Sequence, residues 1–148
     1  MHNRYMEQAI LLAKKAGAAG EVPVGAVIVK NGKIIATGQN RREREQNTLG
    51  HAEIEAINAA CKKLGSWRLD GCELYVTLEP CPMCAGAIIN SRISKVVFGA
   101  FDPRAGAVDS VANMFSMPFG ASPEVWAGID EQECSALLTD FFKNLRNG

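Results

Sequence analysis

The chain has no excess charge of either sign, no long hydrophobic run and little histidine. Its 148 residues contain 16 Lys and Arg, 16 Asp and Glu, and 2 His. No apolar stretch approaches the roughly 18 residues that a transmembrane helix needs, so a membrane protein is not expected. The polar first residues also lack the apolar core of a signal peptide, which favours a cytoplasmic protein.

Cysteine is present, but not in the pattern of a disulfide framework. The chain has five cysteines, an odd number, and no recognisable leader for secretion. A reducing compartment therefore suits them better than an oxidising one. Two of them, Cys81 and Cys84, are spaced as Cys-x-x-Cys, and the other three are scattered.

Length and composition are those of one ordinary globular domain. The hydrophobic share of 47% and the charged share of 22% exclude a disordered chain. A typical domain holds about 100–200 residues, so we expect one domain over residues 1–148. The zero net charge hides a gradient, since basic residues prevail in the first third and acidic residues in the last. A local basic surface for nucleic acid is compatible with that gradient.

The hydrophobic pattern alternates between helical and strand-like segments. Helices are predicted over 2–17, 51–64 and 81–89 and along a C-terminal stripe from Cys134 to Leu145, with residues 39–50 as a loop. Strands are predicted over 24–29, from residue 34, and over 73–78, 93–98 and 125–129. Asn31-Gly32 between the first two apolar runs is a strong hairpin signal. This order predicts a three-layer α/β/α fold around a mixed five-stranded sheet.

Two short segments at predicted helix starts carry candidate chemistry. The first is His51-Ala52-Glu53, and the second is Pro80-Cys81-Pro82-Met83-Cys84. One imidazole and two thiolates provide three ligands, and catalytic zinc keeps a fourth position for water. The carboxylate of Glu53, two residues beyond His51, can accept a proton from water whose pKa zinc has lowered to about 7.

Two other readings use only part of this set. Cys81 and Cys84 alone suit a redox pair, but the order of elements around them is not thioredoxin-like and His51 and Glu53 stay unused. A closed structural zinc site needs a fourth ligand, for which Cys61 and Cys72 are candidates, since the only other histidine, His2, is terminal. Cys134 lies on the apolar stripe of the last helix and is expected in the core.

His-x-Glu followed by Pro-Cys-x-x-Cys is the signature of zinc-dependent nucleobase deaminases. The sequence resembles the cytidine/deoxycytidylate deaminase superfamily and, within it, the bacterial tRNA-specific adenosine deaminases. The resemblance extends along nearly the whole chain, through segments 21–27, 51–54, 74–81, 83–87, 91–93, 96–100, 133–138 and 141–142.

The resemblance implies a cytidine-deaminase-like fold and a homodimer whose active site borrows residues from the partner. It implies hydrolytic conversion of the wobble adenosine of a tRNA anticodon to inosine. The implied site has one zinc ion on His51, Cys81 and Cys84, with Glu53 as proton shuttle. The implied substrate-binding residues are Asn40 on the base, Val24 and Ala52 lining its pocket, the latter with its N–H towards the base edge, and Asp102 near the ribose.

The C-terminal third departs from the family. Residues 110–124 contain no histidine, where the tRNA enzymes usually carry some, and Phe101 replaces a basic or polar residue. A deaminase of a free nucleobase or nucleoside, such as guanine, cytosine or adenosine, is therefore the alternative. A silent zinc-binding subunit is a third class, but such a subunit need not keep Glu53.

Several other residues have both a functional and a structural interpretation. Glu79 is expected to cap the following helix rather than to touch substrate. Phe115 and Phe119 can stack on bases, although packing of their loop onto the domain is the simpler role. Five basic residues can contact phosphates or simply face solvent: Arg41, Arg42, Arg44, Lys62 and Lys63.

Overall fold

A computed structural model describes residues 3–120 and 122–147 and contains a five-stranded sheet between two layers of helices. The helices are α1 (Arg4–Ala18), α2 (Arg42–Glu45), α3 (Ala52–Leu64), α4 (Pro82–Ser91) and α5 (Glu131–Asn147). The strands are β1 (Gly25–Lys30), β2 (Lys33–Gln39), β3 (Cys72–Leu78), β4 (Lys95–Ala100) and β5 (Glu124–Trp126). A single 3-10 turn, Met114–Ser116, follows β4.

The sheet has the order β2-β1-β3-β4-β5 and mixes both kinds of pairing. β1 pairs antiparallel with β2 and with β3, whereas β3, β4 and β5 are parallel. Asn31 and Gly32 both have positive φ and close the first hairpin, as the sequence predicted. Helix α4 connects β3 to β4, and the long segment that holds the 3-10 turn connects β4 to β5, because parallel neighbours need a long crossover.

Alternate side chains of the strands feed two hydrophobic cores, one on each face of the sheet. On one face, α3 and α4 pack against residues such as Ile28, Leu74 and Phe98. On the other face, α1 and the start of α5 pack against Val27, Tyr75 and their neighbours. The predicted three-layer α/β/α architecture is therefore confirmed.

Element ends lie within two residues of the sequence prediction except at β5, and one short helix was not predicted. The predicted loop 39–50 contains the one-turn helix α2, and α1 begins at Arg4, the predicted start at residue 2 lying outside the described residues. β5 ends at Trp126 instead of residue 129, because Gly128 and Asp130 adopt positive φ. No helix within residues 3–120 and 122–147 has the length and apolarity of a membrane span.

Gly38 in β2 sets how closely α3 lies on the sheet. A Cβ at this position would lie 2.2 Å from the carbonyl oxygen of Ala52 and 2.7 Å from the amide nitrogen of Ala56. Such a close approach is possible only because glycine has no side chain. It also fixes the first turn of α3, and with it the position of His51.

Candidate active site

His51 and Cys81 are the N-cap residues of α3 and α4. Both have extended backbone angles, and neither uses its side chain to cap its own helix. The helix after Cys81 tolerates Pro82 at its first position, where the missing N–H costs nothing. The imidazole and the thiol are therefore free to face each other across the two helix starts.

The ligand atoms of His51, Cys81 and Cys84 lie close together. Nδ1 of His51 is 3.6 Å from the sulfur of Cys81 and 3.6 Å from that of Cys84. With bonds of about 2.1 Å to nitrogen and 2.3 Å to sulfur, tetrahedral zinc separates such ligand atoms by about 3.6 Å. All three atoms lie within 4.8 Å of one another, so the residues present fit the ion.

Within the cluster, the pKa of Cys81 moves towards the metal-binding thiolate, whereas the hydrogen bond with Cys81 raises the pKa of Cys84. Hydrogen bonds from Cys84 and from His51, despite the opposing effect of burial, lower the pKa of Cys81 to about 4. The hydrogen bond with Cys81 raises the pKa of His51. Thiolate is the form in which cysteine binds metal, and Cys81 reaches it most readily here.

Glu53 lies in the first turn of α3, beside the cluster. Its side chain is 4% exposed, lines the cleft described below and hydrogen-bonds Cys84. Burial raises the pKa of Glu53 to about 7, although the charge of His51 opposes the shift. A carboxyl group with this pKa can both take and give a proton near neutral pH.

A fourth protein ligand is not found among residues 3–120 and 122–147. The thiol of Cys61 points to the carbonyl oxygen of Trp67, and Cys72 is buried in the core under α3. His2 lies outside the described residues. Three ligands leave one position open, which is typical of catalytic rather than structural zinc.

The cluster lies at the bottom of a cleft of about 520 Å³. His51, Glu53 and Cys81 reach the cleft, whereas Cys84 is fully buried beneath it. The other lining residues come from four segments: Gly20, Glu21, Val22, Val24; Asn40, Arg42, Glu43; Leu78, Glu79, Asp102, Ala105; and Phe141, Phe142, Leu145.

Three of the four residues expected to bind substrate line this cleft. Val24, Asn40 and Asp102 do so, whereas Ala52 is fully buried and does not. The N–H of Ala52 was expected to face the base edge, but it donates instead to Oδ1 of Asn40, 2.9 Å away. The amide of Asn40 also donates to the carbonyl oxygen of Val22. Asn40 thus links the segment before β1 to the start of α3.

Asp102 follows β4 and forms a turn. Its carboxylate accepts hydrogen bonds from the backbone N–H groups of Arg104 and Ala105, at 3.0 and 3.3 Å. Glu79 does not cap α4 as predicted, because its carboxylate accepts hydrogen bonds from the loop of residues 102–110. The sequence gives no sign of that loop's path, so this interaction was missed.

The C-terminal half of α5 forms a wall of the cleft. Cys134, near the start of this helix, lies in the core as predicted. Farther along, Phe142 is 42% exposed and Leu145 is 66% exposed, and both line the cleft together with Phe141. The doubled aromatic Phe141-Phe142 beyond the buried part of the stripe was the available signal.

The remaining candidates divide between surface and core. Of the five basic residues singled out, Arg42 lines the cleft, and Arg41 forms ion pairs with Glu45 and Glu55. Phe115 is buried as expected. The expectation that Phe119 packs onto the domain is wrong, because this side chain is 55% exposed.

The chain is similar to known deaminases along nearly its whole length. The family model of the MafB19-like deaminases matches residues 1–146. The tRNA-specific adenosine deaminase of Bacillus subtilis (strain 168) is 54% identical over 143 residues, covering 96% of this chain and 89% of that protein.

Solved structures give the same result. A tRNA:A34 deaminase studied for A-to-I editing at the wobble position has a TM-score of 0.89 and 46% identity, covering 91% of this chain and 99% of that one. A guanine deaminase from Nitrosomonas europaea has a TM-score of 0.75 and 28% identity, covering 93% and 82% of the two chains. Both of these proteins are named as deaminases.

The fold, the three ligand residues and the adjacent buried glutamate thus occur in a chain whose curated relative is more than half identical over nearly its full length. The chain belongs to the family of the tRNA-specific adenosine deaminases, within the cytidine deaminase superfamily.

Proposed function

We propose that residues 1–148 form a single deaminase domain that converts adenosine to inosine at the wobble position of a tRNA anticodon. The observation that carries the proposal is the placement of Glu53 beside the cluster of His51, Cys81 and Cys84 at the bottom of an open cleft. Relatives that are named for tRNA adenosine deamination support the choice of substrate.

His51, Cys81 and Cys84 would hold one zinc ion through Nδ1 and two sulfurs. When bound, zinc supplies the Lewis acidity that lowers the pKa of water to about 7. Glu53 removes a proton from the attacking water and passes it to the purine ring nitrogen next to the reacting carbon. A second proton transfer through Glu53 lets the amino group leave as ammonia and the carbon become the carbonyl of inosine.

The walls of the cleft would hold the flipped base. Val24 provides an apolar contact, and the amide nitrogen of Asn40 has a hydrogen left after its bond to Val22. Asp102, on the opposite wall, would lie near the ribose. Ala52 contributes indirectly, because its N–H holds the side-chain oxygen of Asn40 in place.

Charge and aromatic rings at the mouth favour RNA over a free base. Arg42 lines the cleft, and Arg104 and Arg146 line an adjoining groove that also includes Phe142. Arginine positions phosphates, and aromatic faces stack on splayed bases. We further propose that the protein acts in the cytoplasm, where the five cysteines, all free thiols in the described residues, would stay reduced. The homodimer remains a proposal that rests on the family resemblance.

The test offers purified protein four substrates in parallel: an anticodon stem-loop RNA with adenosine at the wobble position, free adenosine, guanine and cytosine. We expect inosine and ammonia from the RNA and little product from the others. Glu53→Gln serves as the inactive control. The guanine alternative rests on the structural neighbour from Nitrosomonas europaea, and ammonia from guanine with none from RNA would replace the proposal by it.

A further inference from the structure

Glu79 has an unusual set of hydrogen-bond partners for a buried carboxylate. The residue directly follows β3, on the short segment that leads to Cys81, and is 1% exposed. Its Oε2 accepts from the backbone N–H groups of Val108, Asp109 and Ser110, at 3.2, 2.7 and 2.9 Å. Its Oε1 accepts from the N–H of Asp102 at 3.0 Å and from the hydroxyl of Ser110.

This arrangement leaves the carboxylate no free acceptor for a substrate. A carboxylate offers about four lone-pair sites, and five donors already converge on this one. Three of the donors are successive backbone N–H groups, which together form a concave anion site. The carboxylate of Glu79 therefore occupies the anion site that the loop of residues 102–110 forms.

The loop also packs directly on the carboxylate. A Cβ on Gly106 would lie 2.3 Å from Cδ of Glu79, so only glycine fits at this point. The next residue, Ala107, donates its N–H to the carbonyl oxygen of Pro80 at 2.9 Å. Glu79 and Pro80 immediately precede Cys81, and thus the loop is tied to the backbone that carries a metal-ligating residue.

The tied loop contributes a wall of the cleft. Asp102 and Ala105 line the cavity, and the carboxylate of Asp102 is oriented by the N–H groups of Arg104 and Ala105. Loss of the contact to Glu79 would release Asp102 from its position relative to His51 and Glu53. The ligand residues keep their supports within α3 and α4, whose first turns begin at His51 and Cys81.

We propose that Glu79 is a positioning residue for the RNA substrate, fixing the 102–110 loop as the wall against which the target nucleotide is held. This role rests on the proposed function. It differs from a general stabilising role in its kinetic consequence, since a displaced wall weakens substrate binding more than it slows the bound complex.

The first test replaces Glu79 by glutamine, which keeps the shape but turns one acceptor into a donor that faces other donors. We expect KM for the anticodon stem-loop to rise about tenfold, with kcat within about twofold of wild type. Zinc per chain should be unchanged. Glu73→Gln is the matched control, because Glu73 is a carboxylate on β3 that accepts from Tyr75 instead of from the loop.

A milder variant covers the case in which Glu79→Gln does not fold. Ser110→Ala removes one donor to Oε1 and leaves the backbone contacts. We expect a rise in KM of about threefold, again with kcat and zinc content preserved. In the double variant, the rise in KM should be smaller than the product of the two single rises, because both substitutions act through one contact.

The outcomes separate the two proposals. Wild-type protein that leaves the RNA unchanged would overturn the proposed function and this role with it. Active wild-type protein whose KM is unaltered in both variants would overturn the role of Glu79 alone. A fall in kcat or in zinc content without a change in KM would also overturn it, because Glu79 would then support the metal cluster instead of the wall.

Discussion

The floor of the cleft consists of His51, Glu53, Cys81 and Cys84 at the starts of α3 and α4, whereas its rim consists of loops and the end of α5. Within each helix start, the N-cap and the turn after it determine where the side chains of the floor point, and the packing of α3 and α4 on one face of the sheet brings the two starts together. The rim is placed by contacts between residues far apart in the chain. Chemistry and substrate selection therefore depend on different kinds of interaction.

The rim itself is held on two sides by buried carboxylates. Glu21 is 2% exposed and accepts from the N–H groups of Glu43 and Arg44, at 3.1 and 2.7 Å, which holds α2 beside the cleft. Glu79 accepts from five donors and holds the 102–110 loop. Each carboxylate thus ties a rim segment to the domain through hydrogen bonds from backbone N–H groups.

The largest effect is expected from a change in the floor that removes a ligand. Cys84→Ala leaves two of three ligands, so the affinity for zinc should fall to the point where the purified protein contains almost none. Deamination of the stem-loop should fall below detection. Cys61→Ala is the control, since this thiol lies away from the cluster. Metal analysis and an ammonia assay measure both quantities, and full activity in zinc-free Cys84→Ala protein would refute the metal assignment.

The next effect comes from Glu53→Gln, which keeps the floor intact and removes the proton carrier. We expect about one zinc per chain and a fall in kcat of about a thousandfold, the range for a lost general acid–base group. Glu55→Gln, two residues along α3 and paired with Arg41, should retain nearly full kcat. Single-turnover measurement with saturating RNA isolates the step, and a kcat near that of wild type would remove Glu53 from the mechanism.

The difference between floor and rim also explains what sequence alone could predict. His51, Glu53, Cys81 and Cys84 lie within a few residues of predicted helix starts, so their spacing implied one site. The three layers followed equally from hydrophobic periodicity and the Asn31-Gly32 turn.

The parts that sequence did not predict depend on long-range geometry. Glu79 contacts residues that are 23 to 31 positions away, and no local pattern encodes such a partner. Leu145 continues an apolar stripe that predicts burial, yet α5 extends past the sheet and turns its last apolar side chains towards the cleft. The family resemblance implied that the N–H of Ala52 faces the base, and its bond to Asn40, 12 residues earlier, was not visible in the sequence.

In the rim, we expect the larger effect from Phe142→Ala. A base stacked on an aromatic side chain gains about 1–3 kcal/mol, so KM for the stem-loop should rise about tenfold. The value of kcat should change little, because the floor is untouched. Phe119→Ala is the matched control: Phe119 is also largely exposed but does not line the cleft. An effect of Phe119→Ala as large as that of Phe142→Ala would show that the base does not stack specifically on α5.

The smallest effect is expected from the charge of the rim. Arg42 lines the cleft, whereas its neighbour Arg44 does not, so Arg42→Ala and Arg44→Ala form a matched pair. If Arg42 contacts one phosphate of single-stranded loop RNA, its removal should reduce the slope of log affinity against log salt by about 0.7. Arg44→Ala should leave the slope unchanged. Binding measured over a salt series distinguishes them, and equal slopes for both variants and wild type would show that Arg42 faces the base pocket without contacting the RNA backbone.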